Sequence, residues 1–364
     1  YYNAILMATR WMRSAPFDLG LIVGPPLLAA AAVLLIPALR ASETPAWGWA
    51  LFVVGVDVAH VWGSVYRTYL DAEEFARRRR LYVLTPFLCW ALGALLYRLG
   101  ELVFWRALAY LAVFHFIRQQ YGFLRLYQHL HGGGTRLDAE LDRAVIYATM
   151  LYPLAFWHAH PDRLFAWFTA GDFASLPVSA ATAVGWVYGT LLALFALRQI
   201  QSAARGAAPC WGKIGVVAST AAAWYVGIVL LNSDFAFTVT NVVAHGVPYF
   251  ALLWLYGSRR WKGTGRWLEV LHRPAAACGF LGLLLALAYC EEGLWDLFVW
   301  REHAGVFAGL PALWDPGLGA GALALLVPLL ALPQAVHYVS DAWLWKFDGS
   351  NPGLREHLAL TPPG

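Results

Sequence analysis

Four histidines lie within long apolar stretches of the sequence, and each has polar residues three or four positions away. An ionisable side chain in such a stretch is costly unless it faces a protein interior and finds a partner. Steps of three and four place residues on one face of a helix. The sequence therefore predicts four polar helix faces. They are Asp57, His60, Ser64, Arg67 and Asp71; His115, Arg118, Gln119 and Gly122; Asn241, His245 and Tyr249; and Gln334, His337 and Asp341.

Imidazoles from several helices suit a first-row transition metal, and nearby carboxylates or amides can orient each ring through its second nitrogen. Fe(II) is the preferred ion, because an oxygen-using iron needs neutral imidazoles and an open position, whereas zinc usually takes a mixed or three-ligand set. We predict as metal ligands His60, His115, His245 and His337. We predict that the cofactor is supported by Asp57, Asn241 and Asp341. The candidate catalytic residues are Tyr249, Arg118 and Gln119.

Other interpretations of the same residues stay open. A single histidine in a membrane helix is often only a hydrogen-bonding member of a helix interface. A pair of these histidines could be axial ligands of haem b. Histidine, aspartate and arginine could also form the relay of a transporter. Finally, the Trp-rich connecting segments could be contact surfaces of a structural subunit in a membrane complex.

Transmembrane helices are the elements that must position these histidines. Hydrophobic residues make up 60% of the 364 residues and charged residues only 13%, against about a quarter in soluble proteins. The Lys and Arg residues are dispersed in short loops, which argues against a nucleic-acid-binding face. The predicted fold is an all-α, polytopic membrane helical bundle, with residues 1–364 as a single domain.

Ten apolar stretches could cross a bilayer, which takes about 20 helical residues. They are Leu19–Leu39, Trp47–Tyr69, Leu81–Leu99, Val103–Tyr127, Val145–Trp157, Val178–Leu197, Ile214–Leu231, Phe235–Tyr256, Pro274–Cys290 and Leu318–Trp345. Basic residues concentrate after the even-numbered stretches, as in the run from Arg77 to Arg80. Because cytoplasmic loops carry the excess of Lys and Arg, both termini are expected to be cytoplasmic, with the protein in a bacterial inner membrane.

The four histidine-bearing stretches are all even-numbered, so they are expected to run in the same direction. Each histidine falls roughly 10 to 19 residues into its span, at about 1.5 Å rise per residue. The four rings are therefore expected at comparable depth, where they can share one ion. The expected partners are membrane lipids, a lipophilic small-molecule substrate and other membrane proteins.

Three arginines near the inner ends of the second and fourth spans are expected to find partners. Arg67, Arg118 and Arg125 are predicted to pair with Asp57 or Asp71. The alternative is that they hold an anionic group of a substrate.

The histidine-bearing segments resemble those of the Brp/Blh family, the bacterial and archaeal membrane β-carotene 15,15'-dioxygenases that make retinal. The similar segments are "VAHVWG" at His60, "FHF" at His115, "VVAHGVPYF" at His245 and "LPQAVHYVSD" at His337. Tyr249 stands where the later motif carries a second histidine, and the proline before the first histidine is absent. The resemblance implies iron held by these four histidines and oxygen chemistry on a polyene or another long lipophilic substrate.

Overall fold

The described part of the computed structural model comprises residues 11–132, 134–309 and 317–358, and its regular secondary structure is helical. Eleven long helices, numbered in chain order, form the bundle. They are α1 (Ala15–Leu35), α2 (Ala46–Arg67), α3 (Arg79–Leu99), α4 (Glu101–His131), α5 (Arg136–Ala159), α6 (Val178–Ala204), α7 (Trp211–Leu230), α8 (Asp234–Arg260), α9 (Pro274–Trp300), α10 (Ala320–Leu330) and α11 (Leu332–Leu344).

Seven of these helices are long and apolar enough to cross a membrane, namely α1, α2, α3, α6, α7, α8 and α9. Helices α10 and α11 pass the same test as a pair that is bent by 42°. The fourth and fifth predicted spans lie on α4 and α5, which do not meet this test of length and composition. The architecture fits a multi-pass membrane protein, while the predicted total of ten spans is not confirmed.

Helix ends follow local chemistry. Ser233 begins α8 by accepting a hydrogen bond from the backbone N–H of Ala236, as an N-cap residue does. Gly132 ends α4 with a positive φ of 90°, a conformation that glycine adopts without a Cβ clash. Pro333 lies in the first turn of α11, where its missing N–H costs no helical hydrogen bond. This proline allows α11 to start in a new direction after the bend.

Helix α8 lies at the centre of the bundle, and 83% of its most apolar window is buried, against 11% for α6. It packs against α1, α2, α7 and the short helix Leu354–His357. Peripheral helices instead expose large apolar side chains, such as Leu28, Leu88 and Trp186. Contiguous apolar exposure of this kind suits contact with lipid. The central position of α8 brings His245 near the other histidine-bearing helices.

Helix α9 continues beyond the predicted end of its span at Cys290 and reaches Trp300. Glu291 and Glu292 therefore lie on a buried helical segment instead of in an outer loop. The sequence-based boundary was wrong here because two adjacent carboxylates are usually a sign of solvent. In this bundle Glu291 accepts hydrogen bonds from protein side chains, and Glu292 lines a cavity.

Candidate metal centre

The side chains of four histidines meet in the interior, one each from α2, α4, α8 and α11. All four are buried, and one nitrogen from each ring lies within 4.8 Å of the others: His60, His115, His245 and His337. The closest contact joins Nε2 of His337 and Nε2 of His115 at 3.1 Å. These residues are distant in the sequence, so the packing of four helices creates the cluster.

The cluster could hold a metal ion. Two nitrogens that bind one ion at about 2.1 Å lie about 3.0 to 4.2 Å apart, depending on the angle between them. The upper limit of 4.8 Å within the cluster is close to this range, and small rotations of the rings would remove the difference. The geometry does not identify the metal.

Several ring nitrogens of the cluster are buried without a hydrogen-bond partner among the described residues. They include both ring nitrogens of His245 and Nδ1 of His337. A buried polar atom without a partner costs about 1 to 3 kcal/mol. A cation that accepts these lone pairs would remove the cost, so the donor set itself fits a metal.

Helix α4 fixes the position of His245 through a ring contact and two hydrogen bonds. Phe116 stacks on the imidazole with a centroid distance of 3.5 Å and an interplanar angle of 7°. Gln119 donates from Nε2 to the carbonyl of His245 at 2.8 Å, and Gln120 donates to the carbonyl of Ala244 at 3.0 Å. Gln119 thus lies beside the cluster but bonds to the backbone. The sequence analysis did not single out Gln120.

Tyr249 and Asp341 lie together at the histidines. The Tyr249 hydroxyl donates to Oδ1 of Asp341 at 3.0 Å. The two carboxylate oxygens are each 4.0 Å from an imidazole nitrogen, Oδ2 from Nε2 of His115 and Oδ1 from Nδ1 of His337. The Tyr249 ring also meets His337 edge-on at 5.2 Å. Asp341 is therefore placed to attract a cation or to orient both rings.

Asp57 and Asn241 lie next to the cluster without hydrogen bonds to its rings. Oδ1 of Asp57 is 3.7 Å from Nδ1 of His60. Nδ2 of Asn241 donates to the carbonyl of Phe237 at 3.2 Å, while its Oδ1 is buried without a partner among the described residues. Both residues line a cavity of about 440 Å³.

The structure does not bring Arg118 to the histidines. Its side chain is exposed, and Nη1 donates to the hydroxyl of Tyr147 at 2.8 Å. The guanidinium also lies 5.2 Å from the ring centroid of Tyr121. Arg118 therefore packs on aromatic rings at the opposite side of α4.

The predicted pairing of Arg67 with Asp57 or Asp71 is wrong. Nη1 of Arg67 donates to the carbonyl of Leu344 at 2.7 Å, and the guanidinium lies over the rings of Tyr256 and Trp345. Asp71 instead pairs with Arg260 from α8 at 3.1 Å. The choice of neighbouring helices therefore determines which partners Arg67 and Asp71 find.

The cavity lies beside the histidine cluster and extends towards the ends of α2 and α8 where these helices begin, although none of the four histidines is among its lining residues. Val61, Phe116 and Tyr338 line it near the cluster, and Trp49 and His303 line its other end. The ring of Tyr338 is 5.1 Å from that of His115. Tyr338 directly follows His337 in the sequence, but steps of three and four do not include it.

Glu291 and Glu292 are two further buried polar residues that the sequence did not single out. Glu291 accepts hydrogen bonds from Nε1 of Trp62 at 2.6 Å and from Nε2 of Gln334 at 2.7 Å. Gln334 precedes His337 by three residues, so this contact connects α9 with the histidine-bearing face of α11. Glu292 lines the cavity.

Comparison of the chain with protein-family models, with curated proteins and with solved structures finds no match.

Proposed function

We propose that the protein is a membrane-embedded oxygenase that holds Fe(II) at His60, His115, His245 and His337 and acts on a long lipophilic substrate. The observation that carries the proposal is the buried four-histidine cluster beside a cavity of about 440 Å³. A cavity of this size can hold an organic molecule, since ligand pockets measure about 300 to 1,000 Å³. The resemblance of the motif segments to the Brp/Blh family supports a polyene as the substrate class.

Bound iron would supply activation of molecular oxygen in a site that excludes water. The protein's own side chains would hold and shield the reacting groups. Phe116 covers one face of His245, and Tyr338 closes the cavity beside His115. The Tyr249 hydroxyl donates a hydrogen bond to Asp341 at 3.0 Å. This O–H group is therefore a proton donor beside the rings. Tyr249 thus keeps its candidate catalytic role, and Gln119 has a positioning role through the backbone of His245.

A haem b site receives less support from the ring arrangement. Two axial histidines must leave room between them for a flat porphyrin. In the cluster the rings instead meet edge to face, with centroid distances of 4.5 Å between His60 and His245 and 4.6 Å between His115 and His337. A single ion fits between such rings more readily than a macrocycle.

The metal content of the purified protein tests the proposal. We expect about one iron per chain, with a spectrum lacking a Soret band, and loss of the metal in His115→Ala and His337→Ala. His129→Ala is the matched control, because His129 lies at the exposed end of α4 and should leave metal content unchanged. Stoichiometric zinc would overturn the iron assignment. Protein without any stoichiometric transition metal would remove the proposal.

Production of retinal tests the substrate class. Cells that make β-carotene and express the wild-type chain should accumulate an apocarotenoid cleavage product, detected by chromatography, and cells with His337→Ala should not. Unchanged β-carotene in cells whose purified protein contains iron would reject a polyene substrate but leave the metal site.

We also propose ten membrane crossings, with α4 and α5 as the fourth and fifth spans and both termini in the cytoplasm of a bacterium. The distribution of basic residues supports this topology. A cysteine-free variant carrying either Arg136→Cys or Asp162→Cys would be labelled in intact cells with a membrane-impermeant maleimide. Labelling only at position 162 is expected. Labelling at position 136 would contradict the proposed orientation.

A further inference from the structure

The ionisable residues that line the cavity beside the histidines are mainly acidic. Four carboxylates line it, one each from α2, the start of α8, α9 and the segment after α9: Asp57, Asp234, Glu292 and Glu302. Among the described lining residues there is no Lys or Arg. Burial lowers the pKa of His303, which also lines the cavity, and so disfavours a positive charge on its ring. An ammonium group that enters the cavity can therefore pair with a carboxyl group, whereas an anion finds no Lys or Arg among the described lining residues.

The walls of the cavity are aromatic. Five tryptophans line it: Trp49, Trp105, Trp167, Trp295 and Trp300. Trp105 lies 5.9 Å from Trp295 and 5.5 Å from Trp300, measured between ring centroids. Aromatic faces attract organic cations by about 0.5 to 2 kcal/mol each when the charge is desolvated. A small hydrated inorganic ion gains little from such walls, because its water shell separates it from the rings.

Two amide oxygens at the cavity have no hydrogen-bond donor in the described part of the chain. Oδ1 of Asn241 is buried without a partner among the described residues, and the whole side chain is only 3% exposed. Oε1 of Gln334 is likewise buried and unpartnered there. The Gln334 amide nitrogen is already used by Glu291, which leaves the oxygen as the free end. Both residues line the cavity, and both offer acceptors to a ligand that carries N–H groups.

We propose that the cavity binds the ammonium group of an amphiphilic amine. The carboxyl groups pair with the ammonium group, the tryptophans supply faces for the cation and the apolar chain, and the amide oxygens of Asn241 and Gln334 accept from its N–H groups. The inference rests on the proposed function for placing this ligand beside a reactive metal, and it concerns a ligand of the cavity other than the hydrocarbon polyene. Binding itself can be measured without turnover.

Calorimetric titration of the purified full chain with three probes tests the proposal. Octylamine, 1-octanol and octanoate share the alkyl chain and differ in the charge of the head. We expect octylamine to bind about tenfold or more tightly than 1-octanol, since 1.4 kcal/mol corresponds to a factor of ten. Octanoate should bind most weakly. Equal affinity for the amine and the alcohol in the wild-type protein would overturn the proposal, whatever any variant does.

Variants at Glu292 locate the site. Glu292→Gln should reduce the preference for octylamine over octanol several-fold, and Glu292→Asp, which keeps a carboxyl group, should retain most of it. Glu140→Gln is the matched control, because Glu140 is exposed and pairs with Arg143 on α5, away from the cavity. An undiminished preference in Glu292→Gln would refute binding in this cavity.

Metal analysis of the same samples separates this inference from the proposed function. Selective amine binding by protein without metal would leave the ammonium site and remove the oxygenase. Stoichiometric iron without any amine preference would do the reverse.

Discussion

Three of the four imidazoles have close neighbours outside the ligand set. Phe116 stacks on His245, and Gln119 bonds to its backbone carbonyl. Asp341 lies 4.0 Å from both His115 and His337. Carboxylates that hydrogen-bond the second nitrogen of ligating histidines orient the rings and raise their affinity for a metal, and Oδ1 of Asp341 faces Nδ1 of His337 at 4.0 Å. Asp341 is therefore the residue outside the ligand set with the greatest expected influence on the ion.

Asp341→Asn should lower metal affinity by about 10- to 100-fold, the usual effect of removing a carboxylate next to ligating histidines. The asparagine keeps the size of the side chain and an acceptor for the Tyr249 hydroxyl, so the fold should persist. Competition with a chelator of known affinity measures the effect. Asp348→Asn, in the exposed segment after α11, is the control. Equal affinity of Asp341→Asn and wild type would show that the carboxylate does not act on the ion.

His272 gives a pH dependence that is separate from the metal centre. It lies between α8 and α9, and burial among aromatic rings lowers its pKa from 6.5 to about 4. Because the unfolded chain takes up this proton below about pH 6.5, stability is complete above that pH and is lost as the pH falls towards 4. The loss between pH 7 and pH 5 should be about 2 kcal/mol in the free energy of unfolding.

Thermal unfolding at both pH values checks this expectation. His272→Gln cannot be protonated, so its melting temperature should change less between pH 7 and pH 5 than that of the wild type. If the two proteins lose stability equally, another group is responsible for the titration.

At the scale of elements, the site depends on how closely α8 approaches α2. A Cβ added at Gly246, next to His245, would come within 2.6 Å of Cγ1 and 3.1 Å of the carbonyl oxygen of Val56. Contacts this short require one helix to move. Glycine at position 246 therefore permits the contact that brings His245 to His60 of α2.

Gly246→Ala should lower the free energy of unfolding by about 1 to 3 kcal/mol, the usual cost of overpacking, and should reduce metal content. Gly189→Ala is the matched control, since Gly189 lies inside α6 with no atom within 4 Å of the added Cβ. That change should stabilise the helix by about 0.5 to 1 kcal/mol. Equal stabilities of the two variants would show that the α2–α8 contact tolerates a side chain.

At the scale of the whole molecule, the cluster joins helices from the beginning, middle and end of the chain. An ion bound by four such ligands would cross-link α2, α4, α8 and α11 and bind the folded state alone. Ligand binding stabilises a fold by about 2.7 kcal/mol when the free ligand is at 100 times its Kd. Metal content and global stability should therefore be linked.

Removal of the metal by a chelator should lower the melting temperature of the wild-type protein, and added Fe(II) should restore it under anaerobic conditions. His337→Ala already lacks one ligand, so the chelator should have little effect on it. Differential scanning fluorimetry in detergent measures both. A wild-type melting temperature that is insensitive to the chelator would mean that no ion stabilises the bundle.

The sequence by itself determined the membrane class and the polar helix faces. Amino-acid composition indicates that the protein lies in a membrane, and helical periodicity indicates which residues share a face. Neither depends on which distant segments pack together. Spacing therefore predicted that His337 lies with Asp341 and that Asn241 and His245 share a face of α8. It also predicted that the four histidines could converge, from their similar depth in the bundle.

Only the tertiary structure decided how each helix is rotated and which helices are neighbours. Arg118 and Gln119 are adjacent in the sequence, yet Arg118 contacts Tyr147 while Gln119 reaches His245. Likewise, Asp71 pairs with Arg260 instead of Arg67, and Glu291 is buried against Trp62. Periodicity gives the angles between residues on one helix, but the absolute rotation and the partners result from packing among distant segments. That packing created both the metal centre and the acidic, aromatic cavity beside it.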